Sequence, residues 1–211
     1  MRILSVAPDQ YERHRNALRQ MHRLRATVFR GRLAWDVSIA AGEERDQYDE
    51  CRPTYLLAIA DGGKVAGCVR LLPASGPTML EQTFPQLLDA GSLRPHSGMV
   101  ESSRFCVDTS LVSQRKASQL HLATLTLFAG IIEWSMANGY SEIVTATDLR
   151  FERILKRAGW PMQRLGEPAP IGNTIAIAGS LPADRGSFEQ VCPHGYHSTP
   201  QIDGSLLRSA A

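Results

Sequence analysis

The sequence predicts a single α/β domain, a mixed sheet sandwiched between layers of helix. Three observations lead there. Short β-rich runs alternate with helical patterns from residue 2 to residue 178; two of these runs, 54–60 and 64–73, are joined by the hairpin sequence Asp61-Gly62-Gly63; and one long apolar helical stretch separates two strands. A chain of 211 residues with 43% hydrophobic and 21% charged residues can bury one sizeable core.

Residues 2–7 read as a strand, and residues 10–29 as a helix, because Leu18, Met21, Leu24, Val28 and Phe29 recur at helical spacing. Residues 1–32 hold eight Arg against Asp9 and Glu12, a net +6 in a chain of net +2. With that apolar face behind them, these charges read as the solvated side of an amphipathic helix, which argues against a nucleic-acid arm. Residues 30–53 follow as a polar loop containing Glu43-Glu44-Arg45-Asp46-Gln47-Tyr48-Asp49-Glu50, and the embedded Trp35 and Tyr48 argue for an ordered loop that closes over something.

The hairpin 54–73 starts the sheet antiparallel, and residues 99–107 add another strand. Alternation there places Glu101, Ser103 and Phe105 on one face and Ser102, Arg104 and Cys106 on the other. Residues 117–138 carry too many large apolar side chains for one narrow stripe, so this helix is expected to be buried against the sheet, closed by Asn138-Gly139. Strand 142–147, helix 149–157 and strands 161–165 and 173–178 complete the alternation, with a parallel step across the long helix. The chain thus divides into an amino-terminal helix and loop (1–53), a sheet core (54–180) and a tail (181–211).

Cys51, Cys68, Cys106 and Cys192 show no ligand spacing, so no metal site is expected and buried reduced thiols are the default. No apolar run reaches the length of a membrane span, and the start lacks the apolar core of a signal peptide. A cytoplasmic protein without membrane or nucleic-acid partners is the expectation.

The most informative pattern is ionic. Arg25, Arg70, Glu101 and Arg104 lie within or beside apolar stretches, where an unpaired ion is costly, so partners must converge on them. Three Arg against the carboxylates of Asp46, Asp49 and Glu101, with Trp35 and Ser103 beside them, fit an internal cage. Such a cage can hold a small zwitterion and tune a base.

Arg25, Phe29, Trp35, Asp46, Asp49, Arg70, Phe84, Glu101, Ser103 and Arg104 resemble, in order and spacing, the signature positions of the acyl-homoserine-lactone synthases, the autoinducer synthases of bacterial quorum sensing. The resemblance runs from Met1 to at least Ala178 and includes Glu101-Ser102-Ser103-Arg104-Phe105 and Ile154-Leu155-Lys156-Arg157-Ala158-Gly159-Trp160. Within the family, the chain looks similar to the synthases of conjugative plasmids of plant-associated bacteria. The resemblance implies a GNAT-like fold, with a V-shaped splay between the parallel strands that carry Ser103 and Thr145.

It also implies a reaction: acyl transfer from acyl-carrier protein to S-adenosylmethionine, a consumed substrate and not a cofactor, followed by lactone closure and loss of methylthioadenosine. Glu101 is the expected base and Ser103 the group steering the carbonyl. Arg25, Phe29, Trp35, Asp46, Asp49, Arg70, Phe84 and Arg104 are expected to hold the nucleotide substrate. Phe105, Leu122, Leu125, Trp134 and Thr145 are expected to bound a medium-length acyl chain, Thr145 donating to a 3-oxo group. Arg115, Lys116, Arg150, Arg153, Lys156 and Arg157 are expected to dock the acidic carrier.

Other readings of the same residues stand beside this one. An acetyltransferase using acetyl-coenzyme A fits the alternation, but residues 108–118 contain no Gly to cradle a pyrophosphate. A non-catalytic sensor of a nucleotide or acyl ligand fits the cage. Taken singly, Arg25 is one more Arg of a basic helix, Asp46 and Asp49 are loop acids, and Trp35 and Phe84 are core residues.

Overall fold

The structure, a computed structural model, describes residues 1–33, 35–89, 91–108 and 117–199. Strands β1 (Arg2–Val6), β4 (Thr54–Ile59), β5 (Val65–Pro73), β6 (Met99–Val107), β7 (Glu142–Asp148), β8 (Gln163–Arg164), β9 (Ala169–Ile171), β10 (Thr174–Pro182) and β11 (Ser198–Thr199) make one nine-stranded sheet. Its order is β11-β1-β4-β5-β6-β7-β10-β8, with β9 also on β10, and a separate two-stranded hairpin pairs β2 (Ile39–Ala40) with β3 (Glu43–Glu44). The helices are α1 (Arg15–Ala26), α2 (Met79–Gln82), α3 (Ala117–Ala137), α4 (Leu149–Arg157) and α5 (Arg185–Val191).

Every residue of β4 is buried, as expected of a strand covered on both faces. On one face, Ile3, Leu56, Ala58, Val69, Leu71 and Val100 pack against α3 through Leu127, Phe128, Ile131 and Ile132. On the other, Leu57, Ile59, Val65, Cys68 and Cys106 pack against α1 and its continuation through Leu18, Met21, Val28 and Phe29. Gly67 permits the close approach of α3: a Cβ there would stand 2.9 Å from Leu127 Cδ1.

Two departures from the sequence reading shape the site. The helix does not end at Phe29; it widens into a π-helical turn, Thr27–Arg32, and Trp35 N–H returns to the Phe29 carbonyl at 2.9 Å. The acidic stretch is not free of elements. It holds the β2–β3 hairpin and a 3₁₀ turn, Gln47–Asp49, whose cap is reciprocal: Tyr48 N–H donates to Asp46 Oδ1 and Asp46 N–H to Asp49 Oδ2, each at 2.9 Å.

Beyond residue 182, α5 packs on α3 and β11 pairs parallel with β1 through Ile3↔Ser198 and Leu4↔Thr199. The Tyr196 hydroxyl donates to Glu133 of α3 at 2.7 Å. Of the thiols, Cys68 and Cys106 are buried on neighbouring strands with their sulfurs 3.4 Å apart, whereas Cys51 is exposed, contrary to the expectation of buried thiols. No group of ligating side chains suited to a metal exists among the described residues, and none of their helices is long and apolar enough to cross a membrane.

The parallel pair β6–β7 is joined for three residues only: Met99↔Glu142, Val100↔Ile143 and Glu101↔Val144. Beyond Glu101 the strands part, although they run on to Val107 and Asp148. β7 is held on its far side by β10 along its whole length, so the parting from β6 is a slit set by the sheet's own pairing.

Candidate active site

The predicted ions converge, with one change of membership. Arg25 is fully buried at the third turn of α1; its Nη1 and Nη2 fork onto the two Asp49 oxygens at 2.8 and 2.9 Å, and its Nε donates to Glu44. Glu44, 0% exposed, also accepts from Arg104 Nε at 3.1 Å. Arg70 on β5 pairs with Asp46, reaches Asp49 Oδ1 at 3.1 Å, and donates from Nε to Ser103 Oγ at 3.1 Å. Arg104 Nη2 lies 2.7 Å from Asp46 Oδ2. The three guanidinium groups are therefore balanced by Glu44, Asp46 and Asp49. Losing one partner of such a buried pair typically costs about 3–5 kcal/mol, because the remaining charge is left uncompensated.

Glu101 is not one of the balancing carboxylates. It is 1% exposed, and its two oxygens accept from the backbone N–H groups of Met79 (3.0 Å) and Leu80 (2.7 Å), which open α2. Burial raises its pKa, opposed by these N–H donors and the charge of Arg70. Met79 completes the arrangement: its sulfur stands 2.9 Å from Arg70 Nη2 and 3.7 Å from Arg104 Nη1.

Arg104 overturns the expected alternation. Between Cys68↔Cys106 and Arg70↔Ser103, β6 holds one residue more than β5, and Arg104 takes a left-handed φ of 55°. This bulge lets Glu101, Ser103, Arg104 and Cys106 share the cage face and sends Phe105 to the α3 side, where it meets Phe128 and Phe151. The Arg104 guanidinium lies 5.3 Å over the Phe29 ring, which stacks on Trp35 at 5.2 Å. Phe84 packs beside Tyr48, Leu72 and Met79 at the cage floor.

The predicted acyl-binding residues lie on the opposite face of the sheet, so the slit connects cage and apolar layer. Phe105 and Leu125 border the α3 core, and Leu122 and Thr145 are half-buried. Thr145 is half-way along β7, opposite Gly179, whose missing side chain is replaced by the packed Met162. Trp134 stands apart from these: it stacks on Tyr140 at 5.6 Å, just ahead of β7, at the paired end of the strands.

The basic side chains of α4, Arg150, Arg153, Lys156 and Arg157, are all exposed, and α4 begins where β7 ends, at the open end of the slit. Arg115 and Lys116 lie outside the described residues. A cleft of about 530 Å³, lined by Asp36, Ser38, Arg45, Asp46, Gln47 and Arg104 among others, opens onto the cage.

Sequence reasoning missed Glu44, Met79 and Tyr55, whose hydroxyl donates to Asp49 Oδ1 at 2.7 Å. The signal for Glu44 was the two-residue turn Ala41-Gly42, both with positive φ, which sets Glu44 opposite Ile39 and turns it inward. Burial alone would raise the Asp49 carboxyl; its bonds to Arg25, with the charges of Arg25 and Arg70, hold it well below the ordinary carboxylate range.

His22 is bound to the same network. The Glu44 carbonyl can only accept, so the 2.9 Å contact fixes Nδ1–H as donor. Burial, with Arg25 and Arg45 nearby, lowers its pKa from 6.5 to about 4. Between these values the unfolded chain takes up a proton that the folded one refuses, so this contribution is full above pH 6.5 and is lost as pH falls to 4, in total by roughly 3 kcal/mol. Urea unfolding across that window is expected to show the stability difference between the native protein and His22→Gln rising with pH; parallel curves would contradict the burial of His22.

The model of the autoinducer synthase family matches residues 9–191. An acyl-homoserine-lactone synthase of Agrobacterium fabrum is 82% identical over 211 residues, all of both chains. The crystal structure of the synthase LasI aligns with a TM-score of 0.79 and 30% identity over 90% of this chain and 93% of that one. The CoA-dependent synthase BjaI, solved with SAM and isopentyl-CoA, shares the fold at a TM-score of 0.83 and 23% identity over 99% and 98% of the two chains. A putative N-acetyltransferase of Lactobacillus plantarum shares it more distantly, at a TM-score of 0.54 and 14% identity over 87% and 98%, which marks the GNAT-like architecture. With its fold and its family signature both accounted for, the chain belongs to the autoinducer synthase family, an acyltransferase family that makes acyl-homoserine lactones.

Proposed function

We propose that the cage binds S-adenosylmethionine and that Glu101 takes the proton from its amine as that amine attacks a thioester lying in the slit between β6 and β7. The observation that carries this reading is the position of Glu101: it is the last residue of β6 paired to β7, so its buried carboxylate stands where the strands part.

The amine must be neutral to attack. A carboxylate whose pKa is raised by burial accepts its proton more readily than one in water. The new N–C bond forms, the thioester C–S bond breaks, and the thiolate leaves on the carrier. Because Ser103 Oγ already accepts from Arg70 Nε, its own hydrogen is free to donate to the oxyanion. The substrate carboxylate oxygen then attacks the carbon beside the sulfonium, closing the lactone and releasing methylthioadenosine; the protein's part is to fold the chain into attack geometry.

The three arginines do different work. All Arg25 nitrogens are taken by Glu44 and Asp49, which makes it structural balance. Among the described residues, Arg70 Nη2 and Arg104 Nη1 face only the weakly accepting Met79 sulfur, and a substrate carboxylate would offer both a full charge. The stacked Phe29 and Trp35 and the cleft beside Asp46 suit the nucleoside.

The acyl chain would lie on the α3 face. Among the described residues the Thr145 hydroxyl makes only a long 3.5 Å contact, to the Ala146 carbonyl, which leaves it available to a 3-oxo group. Trp134, at the closed end, would act as a distant wall. The exposed cations of α4 flank the mouth of the slit and suit an acidic acyl-carrier protein, and residues 108–118 lack the Gly that a coenzyme A cradle uses.

Purified protein supplied with S-adenosylmethionine and acyl-carrier protein should release methylthioadenosine and an acyl-homoserine lactone by mass spectrometry; silence would leave a sensor. Glu101→Gln is expected to lower kcat by about 10²–10⁴-fold and to remove an acid limb lying above the ordinary carboxylate range. Reversing Arg153 and Lys156 to Glu should slow turnover of carrier-bound donors and flatten its salt dependence; unchanged rates would move docking elsewhere. Thr145→Val should lower the 3-oxo share of the products, and an unchanged ratio would remove the hydroxyl's role.

A further inference from the structure

We infer that Glu44 is a positioning residue for the transfer: its carboxylate decides which nitrogen of Arg104 faces the substrate. It spans two elements, accepting from Arg25 Nε on α1 with Oε2 and from Arg104 Nε on β6 at 3.1 Å with Oε1. It is 0% exposed, so water cannot stand in for it.

The need for such a holder follows from the backbone. Arg104 sits in a bulge at φ 55°, a conformation that a non-glycine residue keeps only when its surroundings over-determine it. Its guanidinium has three nitrogens. Nε is held by Glu44, Nη2 lies against Asp46, and Nη1 alone is left without a carboxylate, 3.7 Å from the Met79 sulfur. Releasing Nε from Glu44 would let the planar group turn so that two of its nitrogens fork onto Asp46, the geometry an Arg–carboxylate pair prefers. Nη1 would then no longer point at the place of the substrate carboxylate. Glu44 is not itself part of the cleft lining, whereas Arg104, which it holds, is, so it works through Arg104.

The inference rests on the reading of the cage as the S-adenosylmethionine site, and the test separates the two. Titration calorimetry of S-adenosylmethionine into the unaltered protein comes first: no binding would overturn both. Glu44→Gln keeps the shape and removes the charge. It is expected to raise KM for S-adenosylmethionine by about tenfold or more, with KM for the acyl donor unchanged. Glu44→Asp keeps the charge but is one methylene too short to span both arginines, and should give an intermediate KM in a protein whose melting temperature falls less than that of Glu44→Gln. A melting temperature lowered in both variants with KM for S-adenosylmethionine unmoved would reduce Glu44 to a structural ion. Should Glu44→Gln fail to fold, the Glu44→Asp value alone decides, native KM overturning the inference.

Discussion

The interaction on which the rest depends is the buried chain of charges that runs from Arg25 through Glu44 to Arg104 and from Arg25 through Asp49 to Arg70. It ties the first helix, the hairpin that follows it and the two central strands into one unit. None of these ions is affordable alone, since desolvation of an isolated charge exceeds what the fold can offset. The network is thus all-or-nothing, and each side chain that completes it is fixed in direction by the others. Apolar packing at the same place would hold the elements together equally well, but it would leave nothing able to grip a zwitterion.

The second constraint is the slit. A parallel pair joined for three residues and then parted gives up ladder hydrogen bonds, and the sheet tolerates the loss because β10 clamps β7 along seven register pairs and β5 clamps β6. Cage and apolar layer lie on opposite faces of one sheet, and on the proposed reading the gap is where a group held on one face meets a chain held on the other. Glu101 and Ser103 stand where the strands part, two residues apart on β6, and the bulge after Ser103 adds Arg104 to their face of the sheet.

Much of this was legible in the sequence, and the exceptions have physical causes. The bounds of strand β6 and helix α4 were readable to the residue: β6 lies between Gly98 and Asp108, and α4 carries a sharp period-3.6 pattern that Asp148 caps through the Phe151 N–H. Arg25, Arg70 and Arg104 stood out because ions inside apolar runs demand partners. Their partners were harder to read. Within Glu43-Glu44-Arg45-Asp46 no periodicity tells which acid turns inward, and the answer depends on the Ala41-Gly42 turn. The bulge at Arg104 was invisible, since one extra residue in a strand leaves no mark on composition and inverts the facing of everything after it. Glu101 was placed correctly in the interior but with the wrong partners, because backbone N–H groups carry no signature in a sequence.

Those backbone partners have a mechanical consequence. As a carboxylate, Glu101 offers acceptors to both amides at the start of α2, and these charge-assisted bonds anchor Met79 and Leu80. On the proposed reading, in which Glu101 takes the proton of the amine, one oxygen becomes a hydroxyl and can satisfy fewer amides, so the anchor slackens as the amide product forms. The thioether held between Arg70 and Arg104 belongs to that same short helix. On that reading, protonation at the strand loosens the segment that carries the Met79 sulfur, and its anchor is restored only when the proton leaves.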